Sequence, residues 1–250
     1  MSKHEKPQKS NPNKLTIKQH VLPVMNIRRF ANPSGRVSLH DVARGITRSA
    51  KPTDDIFCAR RAWDQRAEVG YMKAIEDAFQ GLVAPILEGT KIDIQDADAV
   101  TASNFYALWY MRSRRRELPD QEIQLQGISG GSGLTKNEEE VVESKGGIFA
   151  RADGKMPARH INGIRLQMEL YQYSDQIRAD SQWGIIYAQE GEFLVPDMPH
   201  HNILPISPIM CLAIGPTGMI DRNNVAEINR ALVSTSQRYY FARDFAQCPL

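Results

Sequence analysis

The chain has 250 residues, 42% hydrophobic and 24% charged, enough for one sizeable core and far from disordered or fibrous compositions. A formal net charge of +2 excludes a whole-molecule field that would gather polyanions or an anionic membrane, so any basic footprint is local. Cys58, Cys211 and Cys248 are odd in number and share no metal-like or redox-like spacing, which points to thiols in a reducing compartment.

Residues 1–14 are rich in Lys, Asn, Ser and Pro and hold no apolar h-region, which predicts a disordered, removable tail and no secretory signal. A single domain is expected over 15–250. Pro23 suits the first turn of a short helix reaching about Phe30, and Asn32-Pro33-Ser34-Gly35 marks a turn. Val37, Leu39 and Asp41, then Ile46 and Thr47, predict a hairpin. Between Thr53 and Leu87 the spacing of Val69, Met72, Ile75, Phe79 and Leu82 predicts a long amphipathic helix bent near Pro85. A second helix after Asp96 carries Phe105, Leu108, Trp109 and Met111 and runs into Arg112, Arg114, Arg115 and Arg116 before Pro119.

The stretch 127–154 changes character. Its glycines and the run Glu138-Glu139-Glu140 predict a mobile surface insertion, with one short helix opened by the capping pattern Thr135 to Glu138. A helix from about Pro157 to Ser174 follows. Strands are expected at Trp183–Tyr187, Glu192–Val195 and Ile209–Ile214, then a helix over Asn223–Ser234 and a strand through Arg238 to Phe241. The sum is an α+β fold, an antiparallel sheet packed with helices. The apolar runs are too short to span a bilayer, so a cytoplasmic protein without a membrane partner is expected.

The run Gly127 to Gly133 lacks the Lys and Ser/Thr that finish a phosphate-binding loop and reads as a flexible loop. Neither HExxH nor a CxxC pair occurs, so no metal is assigned and the cofactor stays unknown. Arg112 differs from the arginines after it, because it shares the inward face of Phe105 and Leu108. There it requires either a buried carboxylate such as Asp197 or the phosphate or carboxylate of a ligand. His200 and His201 point apart in an extended chain, so at most one serves a site.

Gln19-His20-Val21-Leu22-Pro23, followed by Arg28-Arg29-Phe30 and the hairpin, resembles the start of the bacterial family called domain of unknown function 4238, which reads Gln-His-Tyr-Val-Pro and then a helix ending Leu-Arg-Asn-Phe. Phe105 to Arg112 is similar to its Phe-Leu-Ala-Leu-Gln-Tyr-Leu-Arg helix, and Phe193 to Pro199 to its Phe-Ile-Thr-Ser-Asp-Asn-Pro turn. Val225-Ala226-Glu227-Ile228-Asn229 with Arg238 and Tyr239 is similar to its closing helix and strand. The chain departs from the pattern at Val21, Pro196 and Met198, and Ser113-Arg114 stands where the family has Thr-Pro, as in a divergent member.

Two functions are therefore carried forward. In one, an enzyme acts on a phosphate-containing ligand, a nucleotide or nucleic acid, as a nuclease-like or phosphoester hydrolase. Its His20 is the general acid or base, Asp197 orients it, and Arg112 with Asn229 binds the ligand. In the other, a non-enzymatic binding or regulatory module uses the same residues as a structural polar network.

Overall fold

The computed structural model describes residues 4–118, 121–127, 133–179 and 182–250. Strand β1 (Lys18–His20) pairs antiparallel with β4 (Cys58–Arg60), and helix α1 (Val24–Arg28) starts after Pro23 as predicted. The hairpin forms from β2 (Val37–Asp41) and β3 (Ile46–Ala50), with Val37 and Leu39 turned into the core.

The long helix expected from Thr53 begins later. Residues 55–57 make one 3-10 turn and β4 follows, because β1 supplies a ladder for Cys58–Arg60. Helix α2 (Gln65–Ala67) passes through a π turn over Glu68–Met72, with Gly70 at φ −96° and ψ −112°, into α3 (Lys73–Leu87). A π turn shifts the phase of a helix. Val69, predicted to face inward, is exposed, while Glu68 is brought to Trp63 and accepts from its Nε1 at 2.6 Å.

Helix α4 (Asp96–Arg115) opens with a capping box between Gln95 and Asp98. It buries Ala102, Phe105, Tyr106, Leu108, Trp109 and Met111 around most of its circumference. Such a helix must lie inside the fold. It packs between α3, where Phe79 stacks on Phe105 with ring centroids 3.7 Å apart, and α6 (Ala158–Ala179).

Before α6 come β5 (Glu122–Gln124), α5 (Lys136–Ser144) and β6 (Lys155–Pro157), with β5 and β6 paired. Thr135 and Glu138 form the predicted capping box of α5. The described part of 127–154 differs from the expected surface insertion. Glu139, Glu140 and Glu143 are buried, because Arg151 lies on Glu139, Arg61 and Arg159 lie on Glu143, and the Gln8 amide donates to Glu140 at 2.7 Å. Residues 128–132 of the glycine run, and Pro119, fall outside the described residues.

The tail also differs from its expectation. Over 4–14 it lies against α5 and α6, with the Glu5 carboxylate shared by Arg151, Arg159 and Lys136. Against the burial that would raise it, Lys136 and Arg159 hold the Glu5 carboxyl at about 2.

The last third holds β7 (Trp183–Ala188), β8 (Val195–Pro196), β9 (Ile203–Ser207), β10 (Met210–Ile214), β11 (Gly218–Ile220), α7 (Arg222–Thr235) and β12 (Tyr239–Ala242). Glu192–Leu194, expected as strand, joins no ladder, since its amides go to the Gln247 and Pro208 carbonyls and to Asn229 Oδ1. The single expected sheet resolves into two four-stranded sheets, β11-β7-β10-β9 and β3-β2-β12-β8, alongside the two short pairs. All are antiparallel except β11 with β7. One core cluster lies under α4, and a smaller one around Phe193, Leu194 and Val225 lies under α7. Among the described residues no helix is long and apolar enough to cross a membrane. The three thiols are buried, and burial pushes Cys58 up to about 11.

Candidate anion-binding groove at the end of helix α4

The side chains predicted to form one site fall into three places. Arg112 is 1% exposed and ion-pairs with Glu76, lies 3.5 Å from Glu68, and stands over the Trp63 ring at 5.5 Å. Against burial, which lowers it, these carboxylates hold Arg112 above the usual range, while for Glu68 burial outweighs the arginine and raises the carboxyl. His20 belongs to this region. Burial lowers its pKa, and the charges of Glu76 and Arg112 act on it in opposite directions. The cluster is an internal charge network, and Arg112 is already occupied by protein carboxylates.

Asp197 is not the partner of Arg112. Its two carboxylate oxygens accept from the backbone amides of Gln237 at 3.0 Å and Arg238 at 3.1 Å, which fixes the entry into β12. Burial pushes this carboxyl up, opposed by those amides and by the charge of Arg116. Asn229, on α7, is fully buried: its Oδ1 accepts from Leu194 N, and its Nδ2 lies 2.9 Å from the Glu192 carbonyl and 3.1 Å from that of Pro249. It clamps three segments and keeps no polar group for a ligand. Gln19 works similarly, accepting from Ala62 N and donating to the Trp63 carbonyl, both at 2.8 Å, so the opening motif Gln19 to Pro23 tethers β1. Among the described residues no group of three or more His, Cys, Asp or Glu side chains could hold a metal ion.

The arginines that follow Arg112 in the basic run are the ones that line open space. Where α4 ends, a cavity of about 700 Å³ is bounded by Tyr110, Arg114, Arg116, Asp197, His200 and Arg238. Arg116 donates through Nη2 to the carbonyls of Ile56 at 2.7 Å and Cys58 at 3.1 Å and lies 5.9 Å from the centroid of the Tyr239 ring, whose hydroxyl it also engages. Arg238 pairs through Nη1 with Glu117, and its buried Nε has no hydrogen-bond partner among the described residues. Burial and the neighbouring charge of Arg116 together lower Arg238. Two like charges on one cavity favour an anion between them.

Arg114 lies 5.7 Å from the centroid of the Tyr110 ring, which His200 meets edge-on at 6.4 Å. The chain turns after His200 through left-handed backbone at His201 and Asn202, φ 59° and 52°, instead of running extended, so the two rings stay 6.1 Å apart, and of the two only His200 lines the cavity. Arg238 stands far from α4 in sequence, and the one available signal was the basic run itself.

No protein-family model matches this chain, and no curated protein or solved structure matches it either.

Proposed function

We propose that this chain is a non-enzymatic module that binds a phosphate-containing ligand, a nucleotide or nucleic acid, in the cavity at the end of α4. The observation that carries the reading is the convergence of three guanidinium groups, Arg114, Arg116 and Arg238, with the Tyr110 ring on one solvent-reachable cavity. A phosphate there would accept charge-assisted bonds from these guanidinium groups. Glu117, which now pairs with Arg238, is 68% exposed, so a ligand displaces a contact worth no more than about 1 kcal/mol. The Tyr110 ring with Arg114 offers a plane on which a base can stack.

Binding is favoured over hydrolysis by what the assigned catalytic groups do. Asp197 is committed to two amides, and His20 sits with Glu76 and Arg112 instead of at this cavity. Kinship with the 4238 family stays part of the proposal, supported by the order of the motifs along the chain.

Isothermal titration with adenosine monophosphate tests the reading. Binding weakened at least tenfold by Arg238→Gln and by Arg114→Gln is expected. An affinity untouched by both substitutions, or release of phosphate that is abolished by His20→Ala, would overturn it.

A further inference from the structure

A second cavity of about 650 Å³ adjoins the first, since Arg116, Glu117 and Arg238 line both. Its wall carries Arg44, Arg48, Arg60 and Lys6 against Asp41 and Asp55. Basic side chains outnumber the acidic ones on this wall, although Arg48 is also paired with Asp54 at 3.1 Å. Asp55 is shared between Lys18 and Arg60, Arg44 reaches Asp41 only at 3.8 Å with 72% of its side chain in solvent, and exposed pairs of this kind are weak.

One side of this cavity is built by the amino-terminal arm. Glu5 is held by Arg151, Arg159 and Lys136, with its backbone carbonyl accepting from Arg61 Nη1 at 3.2 Å. The residues flanking it, His4 and Lys6, line the cavity. An arm read from sequence as loose is thus anchored at one carboxylate, and the anchor sets a basic side chain into the groove.

Resting on the reading above, we infer that the ligand is a single-stranded oligonucleotide that runs from the Tyr110 cavity across Arg116 and Arg238 into the second cavity, with the Glu5-anchored arm as one wall. A mononucleotide fits within one cavity of this size. Two abutting cavities that share their central arginines suit a ligand repeating its phosphates, and a basic track with an aromatic platform at one end is how single strands are held without sequence preference. An acidic peptide would use the arginines but leave the Tyr110 and Arg114 plane without a partner.

The test is fluorescence anisotropy with oligothymidylates of two, four, eight and twelve nucleotides, beside thymidine monophosphate and polyglutamate. Affinity should rise at least tenfold from the monophosphate to the eight-mer. At about three phosphates neutralised, log K should fall against log salt with a slope of about −2. Glu5→Gln and Lys6→Gln should each lower the ratio of eight-mer to monophosphate affinity several-fold. Lys6 is exposed and its change leaves the fold intact, so it decides the matter if Glu5→Gln unfolds. Monophosphate binding with no gain with length, or polyglutamate binding as tight as the eight-mer, overturns this inference alone. Absence of binding by every nucleotide overturns the proposed function with it.

Discussion

Replacing Arg112 by Met keeps most of the side-chain volume and removes a cation that two glutamates share. Arg112 is completely enclosed, and its partners Glu76 and Glu68 are 24% and 17% exposed. Breaking a buried pair by removing one member costs about 3 to 5 kcal/mol, because the other charge stays behind. Two features move this case toward the lower end. Glu68 keeps the Trp63 indole as donor, and the change also removes Arg112 Nε and Nη2, buried nitrogens without a hydrogen-bond partner. The expected loss is about 3 kcal/mol, which at a urea m-value of about 3 kcal/mol/M lowers the midpoint by about 1 M.

Urea melts followed by tryptophan fluorescence and circular dichroism measure it, with Arg114→Met as a control expected to change stability by no more than about 0.5 kcal/mol. Adding Glu76→Gln should recover part of the loss, since residues in one network are not additive. The loss should also depend on pH. Without the arginine, the folded-state pKa of Glu68, already raised by burial, rises further above its unfolded value, so the folded state takes up a proton first. The destabilisation is then full at neutral pH and shrinks as pH falls through the raised value of Glu68. Equal stability of the Arg112→Met and Arg114→Met chains, or strict additivity with Glu76→Gln, would refute the charge-network account.

Gly163 lies on α6 where a Cβ would overlap the buried Asp64 Oδ1 and sit 3.1 Å from Ala67 Cβ. Gly163→Ala, which would stabilise a free helix by about 1 kcal/mol, should here destabilise by about 1 to 3 kcal/mol, and a raised melting temperature would refute the close packing. Acid should loosen the region joining the arm to α5 and α6 in two steps. Burial holds the His160 pKa down at about 4, and Lys136 with Arg159 holds Glu5 at about 2 against its own burial, both below unfolded values of about 6.5 and 4.3. Each therefore contributes stability present above its unfolded value, lost from about pH 6.5 to 4 for His160 and from about 4.3 to 2 for Glu5. His160→Phe, which keeps a ring against Phe149, should remove the first step in pH-dependent thermal melts, and an unchanged profile would count against it.

Local chemistry made much of the fold legible. Pro23 before α1, the Val37 to Thr47 hairpin, the Thr135 capping box and the span of α4 depend on neighbours a few residues apart, and each is present. What failed depended on distant partners. Cys58–Arg60 is a strand only because β1 offers it a ladder, and Glu192–Leu194 is not one because Asn229 and two loop carbonyls take its amides. The acidic run at 138–140 read as solvated because Arg151 and the Gln8 amide lie elsewhere in the chain.

The same division governs the site. The sequence by itself determined that Arg112 turns inward and that arginines crowd the end of α4, because 3.6 residues per turn sets which side chains share a face. Only the tertiary structure decided that Glu68 and Glu76, set by the π turn before α3, neutralise Arg112, and that Asp197 spends its oxygens on the start of β12. It also decided which arginines line open space. Charges act through space, and the distances that decide between a paired and an available guanidinium are set by packing between segments that the chain order does not place together.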